Sequence, residues 1–109
     1  MKQIQAYIKK HKLNDVVRAL KRVPSITGMS VIDREGYGLG WAQENIESEQ
    51  EMLTGIKLEL FCRDDVVEDA VTAIELAART GLKGDGKIYI NSIEQAVRIS
   101  SGERGEGAV

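Results

Sequence analysis

An alternating apolar-polar segment followed by an amphipathic helical stripe occurs twice in this 109-residue chain. The two stripes open on the same tripeptide: Asp15-Val16-Val17 in the first and Asp65-Val66-Val67 in the second, 50 residues later. In Lys2–Lys9, Ile4, Ala6 and Ile8 point one way and Gln3, Gln5, Tyr7 and Lys9 the other, the period-two signature of a half-buried strand. Leu13, Val16, Val17, Leu20 and Val23 then fall on one side of a helix, and Pro24 ends it. The second half repeats the plan. Ile56-Lys57-Leu58-Glu59-Leu60-Phe61-Cys62 alternates, Asp64 and Asp65 supply an N-cap and first-turn acid, and Val67, Ala70, Val71, Ile74, Ala77 and Ala78 form the second stripe, which stops near Gly81.

The remaining segments complete two βαβ halves. A strand is expected from about Ile26 to Gly36, a long acidic loop over 42–54, and a turn at Gly84-Asp85-Gly86. A fourth strand follows at Lys87-Ile88-Tyr89-Ile90, with a short fifth at Ala96–Ile99. The order β-α-β, loop, β-α-β predicts an α+β, ferredoxin-like βαββαβ fold: one four-stranded antiparallel sheet with both helices on one face. One domain spans 1–100, and the Gly-containing segment 101–109 is expected to be a mobile tail. Met29, Val31, Leu58 and Leu60 suggest apolar material for a second covering of the sheet, which an oligomer would supply. Hydrophobic residues make up 42% of the chain but aromatics only 5%, so the core must be aliphatic.

Several chemistries find little support. One cysteine and one histidine exclude an intramolecular disulfide and a His- or Cys-rich metal centre, so no metal is expected. His11 lies between Lys10 and Lys12, a surface position. Cys62 lies on an apolar strand with no base nearby in sequence and reads as a buried inert thiol. RNA-recognition modules share this element order but stack bases on aromatic strands; Glu35-Gly36-Tyr37-Gly38 begins like their motif and then runs into Leu39-Gly40-Trp41. The net charge of -2 adds no reason to expect nucleic acid. Residues 1–22 hold seven Lys or Arg against Asp15 alone, and 42–54 hold four Glu and no base, runs that read as solvated faces. No apolar run of membrane-spanning length and no leader-like start is present, which points to a cytoplasmic protein. Two glycine clusters are more specific. Gly36-x-Gly38-x-Gly40 follows a strand, and Gly81-Leu82-Lys83-Gly84-Asp85-Gly86-Lys87 follows a helix. Such glycines serve tight turns or expose backbone N–H groups to an anion, and Lys87 would add charge to a phosphate site.

Five stretches in order, Lys12–Leu20, Ile26–Val31, Gly36–Gly38, Thr80–Ile88 and Arg98–Glu103, resemble the PII signal-transduction family. The most specific is Thr80-Gly81-Leu82-Lys83-Gly84-Asp85-Gly86-Lys87-Ile88. The resemblance implies a homotrimer with sheets facing inward and adenine nucleotides in clefts between subunits. It implies nucleotide-binding roles for Ser30, Gly36, Tyr37, Gly38, Phe61, Gly84, Asp85, Gly86, Lys87 and Arg98, with phosphates at the glycines, Lys87 and Arg98, and adenine near Ser30 and Phe61. No catalytic residue is implied.

The chain also departs from the family pattern. The Arg-Gln pair after Gly-x-Gly is Leu39-Gly40, the lysine that clamps 2-oxoglutarate is Gly55, and the second C-terminal arginine is Ser100. The effector loop, placed at 37–54, is shortened, and no tyrosine lies in 42–54 for uridylylation. These losses imply a divergent PII-like regulator without enzymatic activity. It would favour ADP or AMP over ATP, with bicarbonate as a candidate co-ligand, and would signal through 37–54 to a transporter, enzyme or carboxysome component. The alternatives are a standard nitrogen-status regulator responding to ATP and 2-oxoglutarate, a weak ATP hydrolase, and a metal-efflux-associated regulator.

Overall fold

The structure, a computed structural model, describes residues 1–37 and 53–109. It contains β1 (Lys2–Ile8), α1 (Leu13–Lys21), β2 (Ser30–Gly36), β3 (Leu53–Cys62), α2 (Val67–Ala78) and β4 (Lys87–Ser92). The strands form one sheet in the order β2-β3-β1-β4, antiparallel at every pairing. The ferredoxin-like expectation is met.

Register follows the alternation. Ile4 lies opposite Leu60, Ala6 opposite Leu58, and Ile8 opposite Ile56, so one face of the central pair is continuously aliphatic. Val16 and Leu20 of α1 and Ala70, Ile74 and Ala78 of α2 are buried on it, each set at four-residue spacing. Burial of this stripe, rather than intrinsic propensity, holds the short helix α1, whose nine residues are too few to be stable alone.

Four expectations need correction. Leu58 and Leu60 belong to the helix-covered core, with exposures of 0% and 1%, and Val31, opposite Leu58, shares their face. The open face is instead mixed: Gln3, Gln5, Tyr7, Ile32, Arg34, Lys57, Glu59, Phe61, Lys87, Tyr89 and Asn91. Alternation shows that the two faces differ but not which one meets the helices, and a one-residue change of phase exchanges them. Second, β2 starts at Ser30, not Ile26; Pro24 and a left-handed Ser25 (φ 71°) turn the chain before it. Third, Leu53 and Thr54, read as loop, already belong to β3, while 38–52 lie outside the described residues. Fourth, 96–99 form no strand. Val97 and Arg104 make a single bridge.

The ends of the chain are tied in. Asp64 does not cap a helix with its side chain; its carboxylate takes the N-terminal ammonium of Met1 at 2.7 Å, which holds the acid below the usual carboxylate range. The 98–109 segment follows a definite path. The Gly102 amide donates to the Arg98 carbonyl at 2.8 Å, the Arg98 amide to the Glu103 carbonyl at 2.9 Å, and the Gly105 amide to the Ala96 carbonyl at 3.0 Å. No described helix is long and apolar enough to cross a membrane.

Candidate functional site

The glycine loop between α2 and β4 is built around one carboxylate. Asp85 accepts the Thr80 amide at 2.8 Å, the Gly81 amide at 3.0 Å and the Thr80 hydroxyl. Lys9, at the end of β1, reaches Asp85 at 3.2 Å and donates to the Thr80 hydroxyl oxygen at 3.2 Å. The Thr80 hydroxyl and amide, with Lys9 and the Gly81 amide behind them, hold Asp85 well below the usual carboxylate range. Asp85 therefore shapes its own loop, with its oxygens turned to Thr80, Gly81 and Lys9. Gly81, Gly84 and Gly86 all have positive φ. At Gly86 the demand is absolute: φ is 104°, and a Cβ would lie 1.6 Å from the Tyr7 carbonyl oxygen. This contact presses the loop's last residue onto β1 and delivers Lys87 to the open face, paired with Tyr7.

That face carries a hollow of about 650 Å³ lined by Gln5, Tyr7, Arg34, Tyr37, Gly86, Lys87, Tyr89 and Asn91. Among the described residues the lining includes two cations and no carboxylate. Tyr7 and Tyr89 meet edge to face at 5.9 Å, and the Arg34 guanidinium lies 4.9 Å from the centre of the Tyr7 ring. Arg34 starts on β2, opposite Gly55 of β3, and must cross β3 to reach Tyr7 on β1. Gly55 permits the crossing. A Cβ there would be 2.9 Å from the Ile8 carbonyl oxygen, and 3.5 and 3.6 Å from Nε and Nη2 of Arg34. Where the family resemblance expects a lysine, this chain lays down an arginine from the neighbouring strand. Sequence reasoning missed Arg34; its only signal was a charged residue on the same strand face as Ile32, opposite a glycine.

A second hollow, about 390 Å³, lies elsewhere on the chain and shares no lining residue with the first. Thr27, Gly28, Met29, Ser30, Glu59, Phe61, Ile93 and Ala96 contribute, and Ala108 and Val109 close it. The expected site residues divide between the two. Tyr37, Gly86 and Lys87 line the first, and Ser30 and Phe61 the second. Gly36 precedes the first at the end of β2, and Gly84 and Asp85 lie in the glycine loop. Arg98 lines neither; it sits in the C-terminal turn and donates to the Gly107 carbonyl at 3.4 Å. Gly38 lies outside the described residues. His11 is exposed, and burial pushes the Cys62 thiol up, which keeps that thiol protonated and unreactive. Among the described residues no cluster of three His, Cys, Asp or Glu could hold a metal ion.

Known proteins resemble the chain along its whole length. The family pattern described as Nitrogen regulatory protein P-II matches residues 1–103. The nitrogen regulatory protein P-II of Rhodobacter capsulatus is 42% identical over 113 aligned positions, covering all of both chains, and that of Haemophilus influenzae is 36% identical over the same span. Among solved structures, Arabidopsis thaliana PII bound to citrate superposes with a TM-score of 0.82 at 29% identity, covering 99% of this chain and 91% of that one. With the resemblance running from the first strand to the C-terminal turn, the chain belongs to the nitrogen regulatory protein P-II family of regulators.

Proposed function

We propose that this chain is a non-enzymatic regulator that binds an adenine nucleotide between two of its copies in a homotrimer and passes that occupancy to a partner protein through segment 37–54. The observation that carries the reading is the division of the expected site. Gly86 and Lys87, expected on the phosphate side, line one hollow, Ser30 and Phe61, expected on the adenine side, line another, and the two share no residue. A cleft that uses both needs a second copy to bring its Ser30–Phe61 hollow against the first chain's Lys87 hollow.

The ligand preference follows from charge. Leu39, Gly40, Gly55 and Ser100 stand where the family pattern has polar or charged residues, so a γ-phosphate with its metal has few partners. ADP or AMP is expected to bind at least as tightly as Mg-ATP, without enhancement by 2-oxoglutarate. An inorganic-carbon setting, with bicarbonate as co-ligand and a transporter, enzyme or carboxysome component as target, is the cellular context in keeping with a shortened loop. Calorimetric titration of AMP, ADP and Mg-ATP, each with and without 2-oxoglutarate, tests this. Strong synergy between Mg-ATP and 2-oxoglutarate would return the protein to the standard nitrogen-sensing class. Lys87→Ala and Arg98→Ala should each weaken ADP by about 1.5–3 kcal/mol, the scale of a charge-assisted hydrogen bond. Wild-type affinity in both would refute the phosphate assignment.

A further inference from the structure

The geometry points to Arg34 as the second cation of an oxyanion site on the open sheet face, facing a guest held by Lys87; this rests on the reading of Lys87 as a phosphate-side residue. Four observations carry it. Among the described residues, the hollow that Arg34 enters holds Lys87 as its only other charged side chain, with Gln5, Asn91 and the two tyrosines Tyr37 and Tyr89 as polar lining. Among the described residues Arg34 has no carboxylate partner, although Asp33 and Glu35 flank it in sequence; Asp33 lies toward Lys10 at 3.7 Å. Its Nε is buried with no hydrogen-bond partner among the described residues. And its position is built: the stack on Tyr7 and the absence of a side chain at Gly55 fix the guanidinium across β3.

An arginine on a strand this close to the sheet edge could extend into water and solvate all its donors. Folding it inward over Tyr7 desolvates part of the group, and the two like charges of Arg34 and Lys87 then share one hollow without an anion between them. The arrangement gains its full value when an oxyanion enters. The buried Nε leaves Nη1 and Nη2 as the donors for that guest, and the ring of Tyr7 keeps the guanidinium plane in place. The ligand class is a compact oxyanion carrying one or two negative charges. It has two sources: the outermost phosphate of a nucleotide seated on Lys87, or a free anion such as bicarbonate or inorganic phosphate bound beside AMP.

The experiment compares wild type, Arg34→Gln and Arg34→Lys by calorimetry with AMP, with ADP, and with AMP in the presence of bicarbonate or inorganic phosphate. Sedimentation and melting temperature of each variant are measured alongside. Arg34→Gln should weaken the oxyanion-dependent step about tenfold, the usual scale for losing a charged hydrogen-bonding partner. AMP alone should be little changed. Arg34→Lys keeps the charge without the planar fork and should lie between. A loss confined to ADP assigns the guest to the nucleotide's own terminal phosphate; a loss confined to the added anion assigns it to a free one. Either supports the site. Wild-type affinity of Arg34→Gln in every arm, while Lys87→Ala loses ADP, would overturn the role of Arg34 and leave the nucleotide reading standing. Unchanged ADP binding in Lys87→Ala would instead remove that reading. Dissociation of Arg34→Gln at a concentration where wild type stays assembled would make Arg34 a subunit contact and overturn the proposal.

Discussion

Among the described glycines, Gly86 sets the strictest requirement. Its positive φ and its contact with the Tyr7 carbonyl leave no room for a Cβ. Gly86→Ala should therefore lower stability by about 2–4 kcal/mol, combining a left-handed backbone penalty with displacement of β1 from the glycine loop. The urea midpoint of unfolding would read this directly, and a shift below about 0.5 kcal/mol would show that the loop relaxes freely away from β1. Gly55 is a milder case with a different cause. Its φ is not left-handed, but an added methyl would press on the Ile8 carbonyl and on the seated guanidinium of Arg34. Gly55→Ala should cost about 1–3 kcal/mol through that crowding. Both glycines look alike in the sequence; only the neighbouring backbone separates a turn requirement from a close approach.

The loop Thr80–Gly86 and the helix before it show what a one-dimensional reading captures of an element. The two helices were legible because their stripes fall at helical spacing and bury what they should: Val16 and Leu20, then Ala70, Ile74 and Ala78. Ile74→Ala, at the centre of the second stripe, should destabilise by about 2–5 kcal/mol in chemical denaturation. Strand existence was legible from alternation, but the assignment of Leu58 and Leu60 to the second face was not, since alternation says that faces differ without saying which one meets the helices. The glycine loop was legible as a tight turn, but the structural work of its carboxylate was not. The family resemblance implies a nucleotide-binding role for Asp85, and in the structure Thr80, Gly81 and Lys9 occupy its oxygens. Arg34 was illegible because its meaning depends on β2 lying beside β3, opposite Gly55, a pairing between distant segments. The Asp85 arrangement carries its own pH signature. Its folded pKa is depressed below the ordinary 3.8, so it stabilises the fold fully above that value. As pH falls below 3.8 the unfolded chain takes up a proton that the folded chain refuses, and stability drops. Asp85→Asn should therefore flatten the acid limb of a stability-against-pH curve below about pH 4, measured by urea unfolding at successive pH values. An acid limb identical to wild type would mean that the Thr80–Lys9–Asp85 cluster does not survive in solution.

For the whole molecule, the question is what the open face meets. A single chain covers one side of its sheet with two helices and leaves the other mixed rather than apolar. Ile32 at 46%, Phe61 at 44% and Tyr89 at 49% exposure stand among Gln, Lys, Glu and Asn. Polar atoms there already pair with one another: Gln3 donates to Glu59 at 3.1 Å, and Asn91 donates to Gln3 at 3.4 Å. Such a face suits copies of itself, with aromatic anchors and a satisfied polar rim, better than a greasy sandwich. If the copies also share the ligand, with Lys87 from one and Ser30 and Phe61 from the next, then assembly and binding are one linked equilibrium. A nucleotide that bridges subunits stabilises the oligomer by about 2.7 kcal/mol per site at a hundred times its Kd. Three consequences can be measured together. Sedimentation should give about three times 12.0 kDa, the closed cyclic assembly expected here. ADP should raise the melting temperature, and the values with and without ADP should both fall as protein is diluted toward the dissociation range, because assembly and binding share one equilibrium. And substituting Phe61 with Ala should weaken ADP binding together with assembly, since the ring lines the second hollow and stands on the open face. ADP bound at full affinity by a monomer would show that one chain completes its own site, and the division of residues between two hollows would then have to be closed by movement within the subunit.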